Sequence, residues 1–312
     1  MDLAEALQAT PWLLTACVFI LSLLVGSFLN VVIHRLPIML DRQWREHARE
    51  MLSPPSADSS SAPIAGSLSP VASPERYNLI VPRSRCPKCN TEITAAQNIP
   101  VVSWLVLGGK CAACKAPISP RYPIVELATA VLSAAAAWHF GWGWQTVAAL
   151  FFTWALVALT VIDLDHQILP DIITLPLLWI GLLLSLAWHP GLRPPSPVDP
   201  ASAIVGAAAG YLSLWLVYWA FKLATGKEGM GYGDFKLFGA FGAWMGWQML
   251  PLIILVSAFA GAVIGIVLIA ARGRDRNIPI PFGPYLAAAG WIALMWGPQI
   301  VGGYLSYSGL NR

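Results

Sequence analysis

The chain has 312 residues, of which 57% are hydrophobic and only 11% are charged, and its formal net charge is +3. Because a soluble domain carries about 25% charged residues, this composition excludes an ordinary water-soluble globular protein. Apolar runs of about 20 residues recur along the chain, and each is long enough to cross the hydrocarbon core of a bilayer. The sequence therefore predicts an all-α polytopic membrane protein.

The first apolar run begins near Pro11 and ends near Ile33. The segment before it carries Asp2 and Glu5 but no Lys or Arg. A secretory signal has a basic start, a shorter apolar stretch and a small-residue cleavage site. We therefore expect this run to be a retained transmembrane helix.

About eight transmembrane helices are predicted in chain order. They cover residues 12–33, 123–140, 144–162, 172–189, 201–223, 235–250, 252–271 and 282–301. Pro251 is expected to separate the sixth from the seventh, because the residue before a proline tends to leave the helical conformation. The chain then divides into a first transmembrane helix (1–33), a loop domain (34–122) and a seven-helix membrane core (123–312).

The loop domain contains a stretch near residues 53–74 that is rich in Ser, Pro and Ala and is predicted to be a disordered insert. Seventeen of the nineteen Lys and Arg residues lie in this domain, in the loop near Asp234 and in the loop after the seventh span. Eight spans place these three regions on one side, which the positive-inside rule assigns to the cytoplasm. The net positive charge thus reflects membrane topology, and nucleic acid is not an expected partner.

Four of the five cysteines form two C-x-x-C pairs in the loop domain: Cys86, Cys89, Cys111 and Cys114. Two such pairs are typical of a four-thiolate metal site, with zinc preferred over iron. Two disulfides are the alternative, which a reducing cytoplasm disfavours. Because four protein ligands leave no open position, we expect a structural metal in a zinc-ribbon-like loop.

Acidic residues lie at the ends of the predicted spans. Asp163 follows the third span, in a stretch that also contains Asp165 and Asp171, and Asp234 lies at the start of the sixth. Carboxylates at membrane depth are costly and are functional candidates for that reason. Asp165 and Asp171 can equally be water-exposed loop charges, and Asp171 could cap the fourth span.

Asp234 is preceded by Gly229, Gly231 and Gly233, and glycine allows a backbone to approach a ligand closely. A phosphate-binding loop is a weak interpretation, since no strand precedes these glycines and no Lys-Ser/Thr pair follows them. With Asp163 across the bundle, the pattern favours an aspartic peptidase in which one carboxyl keeps a proton and the other activates water. Helix dipoles predict that Asp163, just past a helix end, holds this proton, and a symmetric pair is the alternative.

These residues resemble the bacterial type IV prepilin peptidases, which are GxGD aspartic peptidases and N-methyltransferases. The resemblance covers nearly the whole chain, and the insert near residues 53–74 is the one clear departure. The matching segments are Gly26–Pro37, the two C-x-x-C pairs, Asn98–Trp104, Arg121–Glu126, the Asp163 and Asp234 segments and Pro281–Tyr285.

The resemblance implies cleavage of type IV prepilins and type II secretion pseudopilins after a glycine, at the cytoplasmic face of the bacterial inner membrane. It also implies methylation of the new N-terminal residue with S-adenosylmethionine. Asp163 and Asp234 are then the catalytic pair, and the cysteine-bearing loop serves methyl transfer, with zinc as its metal. Prepilins and membrane lipid are the expected partners. No S-adenosylmethionine fingerprint is recognisable in the sequence.

Two other functions match parts of the pattern. A preflagellin peptidase or a presenilin-like protease would share the Gly-x-Gly-Asp chemistry without methyltransferase activity, but those relatives lack the four-cysteine loop. A transporter with a zinc-stabilised loop is less well supported, because transporter sites usually lie near the membrane midplane. The acidic residues of this chain cluster at one membrane face.

Overall fold

The computed structural model describes residues 2–52, 77–189, 198–272 and 281–309, and these ranges contain no β-strand, only two isolated β-bridges. The predicted insert near residues 53–74 lies outside the described residues. The described α-helices are α1 (Leu3–Ala9), α2 (Pro11–Leu52), α3 (Val102–Val106), α4 (Arg121–Phe140), α5 (Trp144–His166), α6 (Asp171–Ser185), α7 (Pro200–Thr225), α8 (Tyr232–Met245), α9 (Leu250–Arg272) and α10 (Gly283–Tyr307).

Each of the eight predicted spans coincides with one helix, α2 or one of α4 to α10. Five stretches among the described residues are long and apolar enough to cross a membrane: Pro11–Leu52, Arg121–Phe140, Trp144–His166, Pro200–Thr225 and Trp247–Leu268. Helices α6 and α8 are shorter, with 15 and 14 residues. The prediction of an all-α, multi-pass membrane protein is confirmed, while the number of crossings stays a prediction.

Two helix boundaries differ from the predicted spans. Helix α2 has 42 residues, a length of about 63 Å, and so continues well past Ile33. Helix α8 ends at Met245, where Gly246 adopts a φ of 78° that glycine tolerates best. The expectation that Pro251 separates α8 from α9 was wrong. Pro251 lies in the first turn of α9, where a backbone N–H would have no partner within the helix, so proline is tolerated there.

Helix α8 lies at the centre of the largest buried cluster, which includes side chains of α5, α6, α7, α9 and α10. Phe235, Leu237 and Phe241 of α8 are fully buried. Helices α7 and α8 meet at two glycines, since a Cβ at Gly206 would lie 2.4 Å from the carbonyl oxygen of Gly242. Small residues allow such close backbone contact between membrane helices. The packing therefore encloses a short helix that begins with the Gly-Tyr-Gly-Asp segment.

Helices α2 and α4 pack together on α5. Leu29 and Ile33 of α2, Val125 of α4 and Ile162 of α5 belong to one buried cluster. Gly26 makes the approach of α2 to α4 possible, because a Cβ there would lie 2.7 Å from the Cα of Glu126. This packing places the start of α4 beside the end of α5.

Candidate active site and metal centre

Asp163 lies in the last turn of α5 and is only 6% exposed. Its backbone carbonyl accepts a hydrogen bond of 2.9 Å from the N–H of Gln167, whose φ of 55° ends the helix. The helix continues to His166, so the expectation that Asp163 lies just past its end was wrong. The carboxylate oxygen Oδ2 accepts a hydrogen bond of 3.0 Å from the backbone N–H of Gly283.

Asp234 is the third residue of α8 and is also 6% exposed. Its Oδ2 accepts a hydrogen bond of 3.2 Å from the N–H of Gly231, the residue that precedes the helix. Its Oδ1 is buried and has no hydrogen-bond partner among the described residues. A buried, unpartnered carboxylate oxygen is costly and calls for a functional explanation.

Leu169, in the turn between α5 and α6, brings the starts of α8 and α10 against the end of α5. A Cβ at Gly233 would lie 2.6 Å from the Cβ of Leu169, and one at Gly283 would lie 3.1 Å from its Cδ2. The residue before Asp234 and the residue whose N–H binds Asp163 therefore both lie against Leu169. The structure thus brings together the two aspartates that the sequence singled out.

Gly283 is a site residue that the sequence reasoning did not assign. It lies in the Pro281–Tyr285 segment, which carries part of the family resemblance and to which the sequence reasoning assigned no role of its own. Gly283 is the first residue of α10, so the positive end of that helix faces the carboxylate of Asp163. Asp234 lies in the first turn of α8 and is therefore also close to the positive end of a helix. Because Asp163 faces the start of α10 as well as lying at the end of α5, helix dipoles alone do not distinguish the two carboxylates, and the location of the shared proton stays a prediction.

The other two acidic residues of the segment form ion pairs with partners on different helices. Asp165 pairs with Arg121 at the start of α4. Both carboxylate oxygens of Asp171 accept hydrogen bonds from Nζ of Lys236, at 2.6 and 2.7 Å. The N-cap of α6 is Pro170 and Asp171 is its first residue, so the alternative that Asp171 caps this helix does not hold.

The glycine-rich loop before Asp234 is anchored to α7. Nζ of Lys222 donates hydrogen bonds to Oε1 of Glu228 at 2.8 Å and to the hydroxyl of Tyr218 at 3.1 Å. The hydrogen bond and charge of Lys222 hold the pKa of Glu228 below its usual range. The buried ring of Tyr218 also contacts the ring of Tyr232, at 5.4 Å between centroids. These contacts hold the loop against the buried core.

The four loop cysteines form one cluster of free thiols, with all sulfur atoms within 4.8 Å of one another. The Sγ atoms of Cys86 and Cys114 are 3.8 Å apart, and those of Cys89 and Cys111 are 4.0 Å apart. A tetrahedral ion with metal–sulfur bonds of 2.3 Å would place the sulfurs about 3.8 Å apart. The donor set and its spacing therefore fit a metal ion.

The two cysteine turns repeat the same backbone design. The N–H of Asn90 donates to the carbonyl of Cys86 at 2.9 Å, and the N–H of Lys115 donates to the carbonyl of Cys111 at 3.0 Å. Asn90 and Lys115 have nearly equal positive φ values, 56° and 57°. An isolated β-bridge flanks each turn. The repeat presents two thiols from each turn to the same point.

Two buried charged side chains attach the described segment that carries the cysteines, residues 77–120, to the membrane helices. Arg35 of α2 is 8% exposed and donates hydrogen bonds to the carbonyls of Asn78 and Pro82, at 2.9 and 2.6 Å. Glu126 of α4 is 7% exposed and accepts a hydrogen bond of 2.8 Å from the N–H of Val101. Neither side chain was singled out individually from the sequence, although both lie in segments that carry the family resemblance.

Fold and site together define a class: a multi-pass helical membrane protein with a buried aspartate pair and a four-thiol cluster that could bind a metal. Residues 20–140 match the model of the bacterial peptidase A24 N-terminal domain, and residues 150–266 match that of the type IV leader peptidase family. The chain belongs to the type IV leader peptidase family.

Several curated relatives match this chain along its length, and each carries the name prepilin leader peptidase/N-methyltransferase. The relative from Pseudomonas aeruginosa is 52% identical over 311 residues, which cover all of both chains. That from Aeromonas hydrophila is 55% identical over 304 residues, 97% of this chain and 98% of the relative. That from Xanthomonas campestris is 47% identical over 291 residues, 93% and 94% of the two chains. No solved structure matches the chain.

Proposed function

We propose that this chain cleaves the leader peptide from type IV prepilins and type II secretion pseudopilins and then N-methylates the new N-terminal residue. The observation that carries the peptidase assignment is the packing around Leu169 of the helix ends that carry two buried carboxylates, Asp163 and Asp234. The relatives match this chain along both of its halves, and their names, which give both activities, support the combination.

In the proposed cleavage step, Asp163 and Asp234 act as one unit. One carboxyl group is protonated and polarises the scissile carbonyl, while the other takes a proton from the attacking water. The amides of Gly283 and Gly231 each hold one oxygen of a carboxylate. Oδ1 of Asp234, which has no partner among the described residues, is the oxygen that we assign to the water. Collapse of the tetrahedral intermediate then passes a proton to the leaving amine.

For the metal centre, Cys86, Cys89, Cys111 and Cys114 are the proposed ligands, and zinc is the proposed ion. Four thiolates at these distances complete a tetrahedral shell and leave no position for substrate, so the role is structural. The described segment that carries the cysteines, residues 77–120, is then a unit that Arg35 and Glu126 attach to the membrane helices. We assign methyl transfer to this unit: a methyl group moves from the sulfur of S-adenosylmethionine to the freed α-amine.

The proposed site faces the cytoplasm. Three basic residues lie at helix ends near the two aspartates: Arg121, Lys222 and Lys236. Arg121 pairs with Asp165, Lys236 pairs with Asp171, and Lys222 binds the loop that precedes Asp234. Basic residues concentrate on the cytoplasmic side of membrane proteins. We therefore place the enzyme in the bacterial inner membrane with its peptidase site at the cytoplasmic surface.

Reconstitution tests both activities together. Purified protein in lipid is mixed with a full-length prepilin and with S-adenosylmethionine labelled in the methyl group. We expect a shortened pilin that carries label at its new N-terminus, and a prepilin whose cleavage-site glycine is replaced should give neither. Cleavage without label would remove the methyltransferase assignment, and an intact prepilin would remove the peptidase assignment.

A further inference from the structure

We propose that Gly283 is a positioning residue of the peptidase site, which orients Asp163 through its backbone N–H and leaves room for the carboxylate by having no side chain. The inference rests on the proposed peptidase function of Asp163 and Asp234. It adds α10 to the elements that build the site, beside α5 and α8.

The hydrogen bond links parts of the chain 120 residues apart. The N–H of Gly283 is 3.0 Å from Oδ2 of Asp163, and the contact is buried. The first N–H groups of a helix have no partner within the helix. Gly283 is the first residue of α10, so the carboxylate of Asp163 satisfies a donor that would otherwise stay unpaired in a buried place. The amide and the carboxylate are therefore each given a hydrogen-bond partner, which offsets the cost of removing them from water.

Space explains why the position carries glycine. A Cβ at position 283 would lie 2.6 Å from Oδ2 of Asp163 and 3.1 Å from both Cγ of Asp163 and Cδ2 of Leu169. Gly283 is not among the residues with positive φ, so alanine could adopt its backbone conformation. The cost of a side chain is thus steric, and it falls directly on Asp163.

The arrangement matches that around Asp234. Gly231 donates its N–H to Oδ2 of Asp234 at 3.2 Å, and Gly283 does the same for Oδ2 of Asp163. Each carboxylate therefore accepts one hydrogen bond from a glycine amide. A misplacement of about 1 Å at a reacting group can cost about a hundredfold in rate. Displacement of Asp163 by a methyl group at position 283 should accordingly slow chemistry rather than substrate binding.

The decisive variant is Gly283→Ala, with two control variants on the same helix. Gly290→Ala would place a Cβ 2.4 Å from the ring of Phe241, a clash as severe but about 10 Å further along α10. Gly302→Ala meets open space. For each purified variant, kcat and KM for prepilin cleavage are measured, together with methylation of a pilin that has already been cleaved.

We expect Gly283→Ala to lower kcat for cleavage about 10- to 100-fold, with KM and methylation of cleaved pilin within about twofold of wild type. Gly302→Ala should match wild type, and Gly290→Ala should lower yield or both activities in parallel. Normal cleavage by Gly283→Ala would overturn the proposal, and so would parallel loss of both activities. If the wild-type protein itself does not cleave prepilin, the proposed function fails instead.

A cysteine pair tests the geometry even if Gly283→Ala does not accumulate. In Asp163→Cys/Gly283→Cys, the new Cβ at position 283 lies close to the place of the former Asp163 Cγ, within disulfide reach. We expect a disulfide between the two positions after mild oxidation, detected as a cross-linked peptide that the Asp163→Cys single variant does not give. Failure of the double variant to cross-link would overturn the placement of Gly283 beside Asp163.

Discussion

Nζ of Lys236 lies 2.6 and 2.7 Å from the two carboxylate oxygens of Asp171, and this pair joins the first residue of α6 to the start of α8. Lys236 is two residues from Asp234, and Asp171 is two residues from Leu169, which packs on both Gly233 and Gly283. The ion pair therefore links the start of α6, which follows Asp163 in the chain, to the helix start that carries Asp234.

We predict that Asp171→Asn and Lys236→Gln each lower the cleavage rate about three- to tenfold, while protein stability changes little. Exposed ion pairs contribute only about 0 to 1 kcal/mol, so the effect should be on the geometry of the site. The exchanged variant Asp171→Lys/Lys236→Asp should recover most of the lost rate, measured on the same prepilin. If the exchanged variant were slower than either single variant, the pairing would not be the relevant interaction.

The aspartate pair itself should behave as one unit. Asp163→Asn and Asp234→Asn should each reduce cleavage by about a thousandfold or more, because each removes the acid or the base of a coupled pair. The double variant should be no worse than either single one. Asp165→Asn is the matched control, since its carboxylate pairs with Arg121, and it should cost far less. Insertion into membranes is checked by fractionation. Near-normal cleavage by either of the first two variants would contradict their assignment.

The proposed metal site predicts both the zinc content of the protein and the folding of the loop. Purified protein should contain about one zinc per chain, and Cys86→Ser or Cys111→Ser should reduce that content. Because structural metal binding is coupled to local folding, removal of the metal by a chelator should expose the loop to protease and reduce methylation before cleavage. Cys17→Ser, in α2 and outside the cluster, serves as the control. Protein that contains neither zinc nor iron, or that carries disulfides at these positions, would disprove the assignment.

Glu126 should decide whether the loop domain stays attached to α4. Val101 has a φ of 58°, which is rare for a β-branched residue, and its N–H is held by the carboxylate of Glu126. Glu126→Ala removes the acceptor and should destabilise this contact by about 1 to 3 kcal/mol. Glu126→Gln keeps an acceptor oxygen and should retain most of the contact. Limited proteolysis between residues 77 and 120 gives the measurement, and equal protection of Glu126→Ala and wild type would refute the role.

Much of the architecture could be predicted because it depends on local sequence. The helices follow from apolar runs that must satisfy their backbone hydrogen bonds internally in lipid, and each predicted span coincides with a helix. The cysteine turns follow from two short C-x-x-C segments, each closed by hydrogen bonds between residues four apart. The helix boundaries were less accurate, as the break at Gly246 shows, because either a glycine or a proline nearby could have ended α8.

The contacts that complete the site could not be predicted, because their partners are far apart in the chain. Gly283 and Asp163 are 120 residues apart, and Lys236 and Asp171 are 65 residues apart. Which glycine lies against which carboxylate depends on how closely and at what angle the helices pack. The sequence by itself determined a multi-pass helical protein, its four-thiol turns and its two candidate aspartates. Only the tertiary structure decided that α10 supplies an amide to Asp163, since the position of α10 depends on close contacts between helices, such as that of Gly290 with the ring of Phe241.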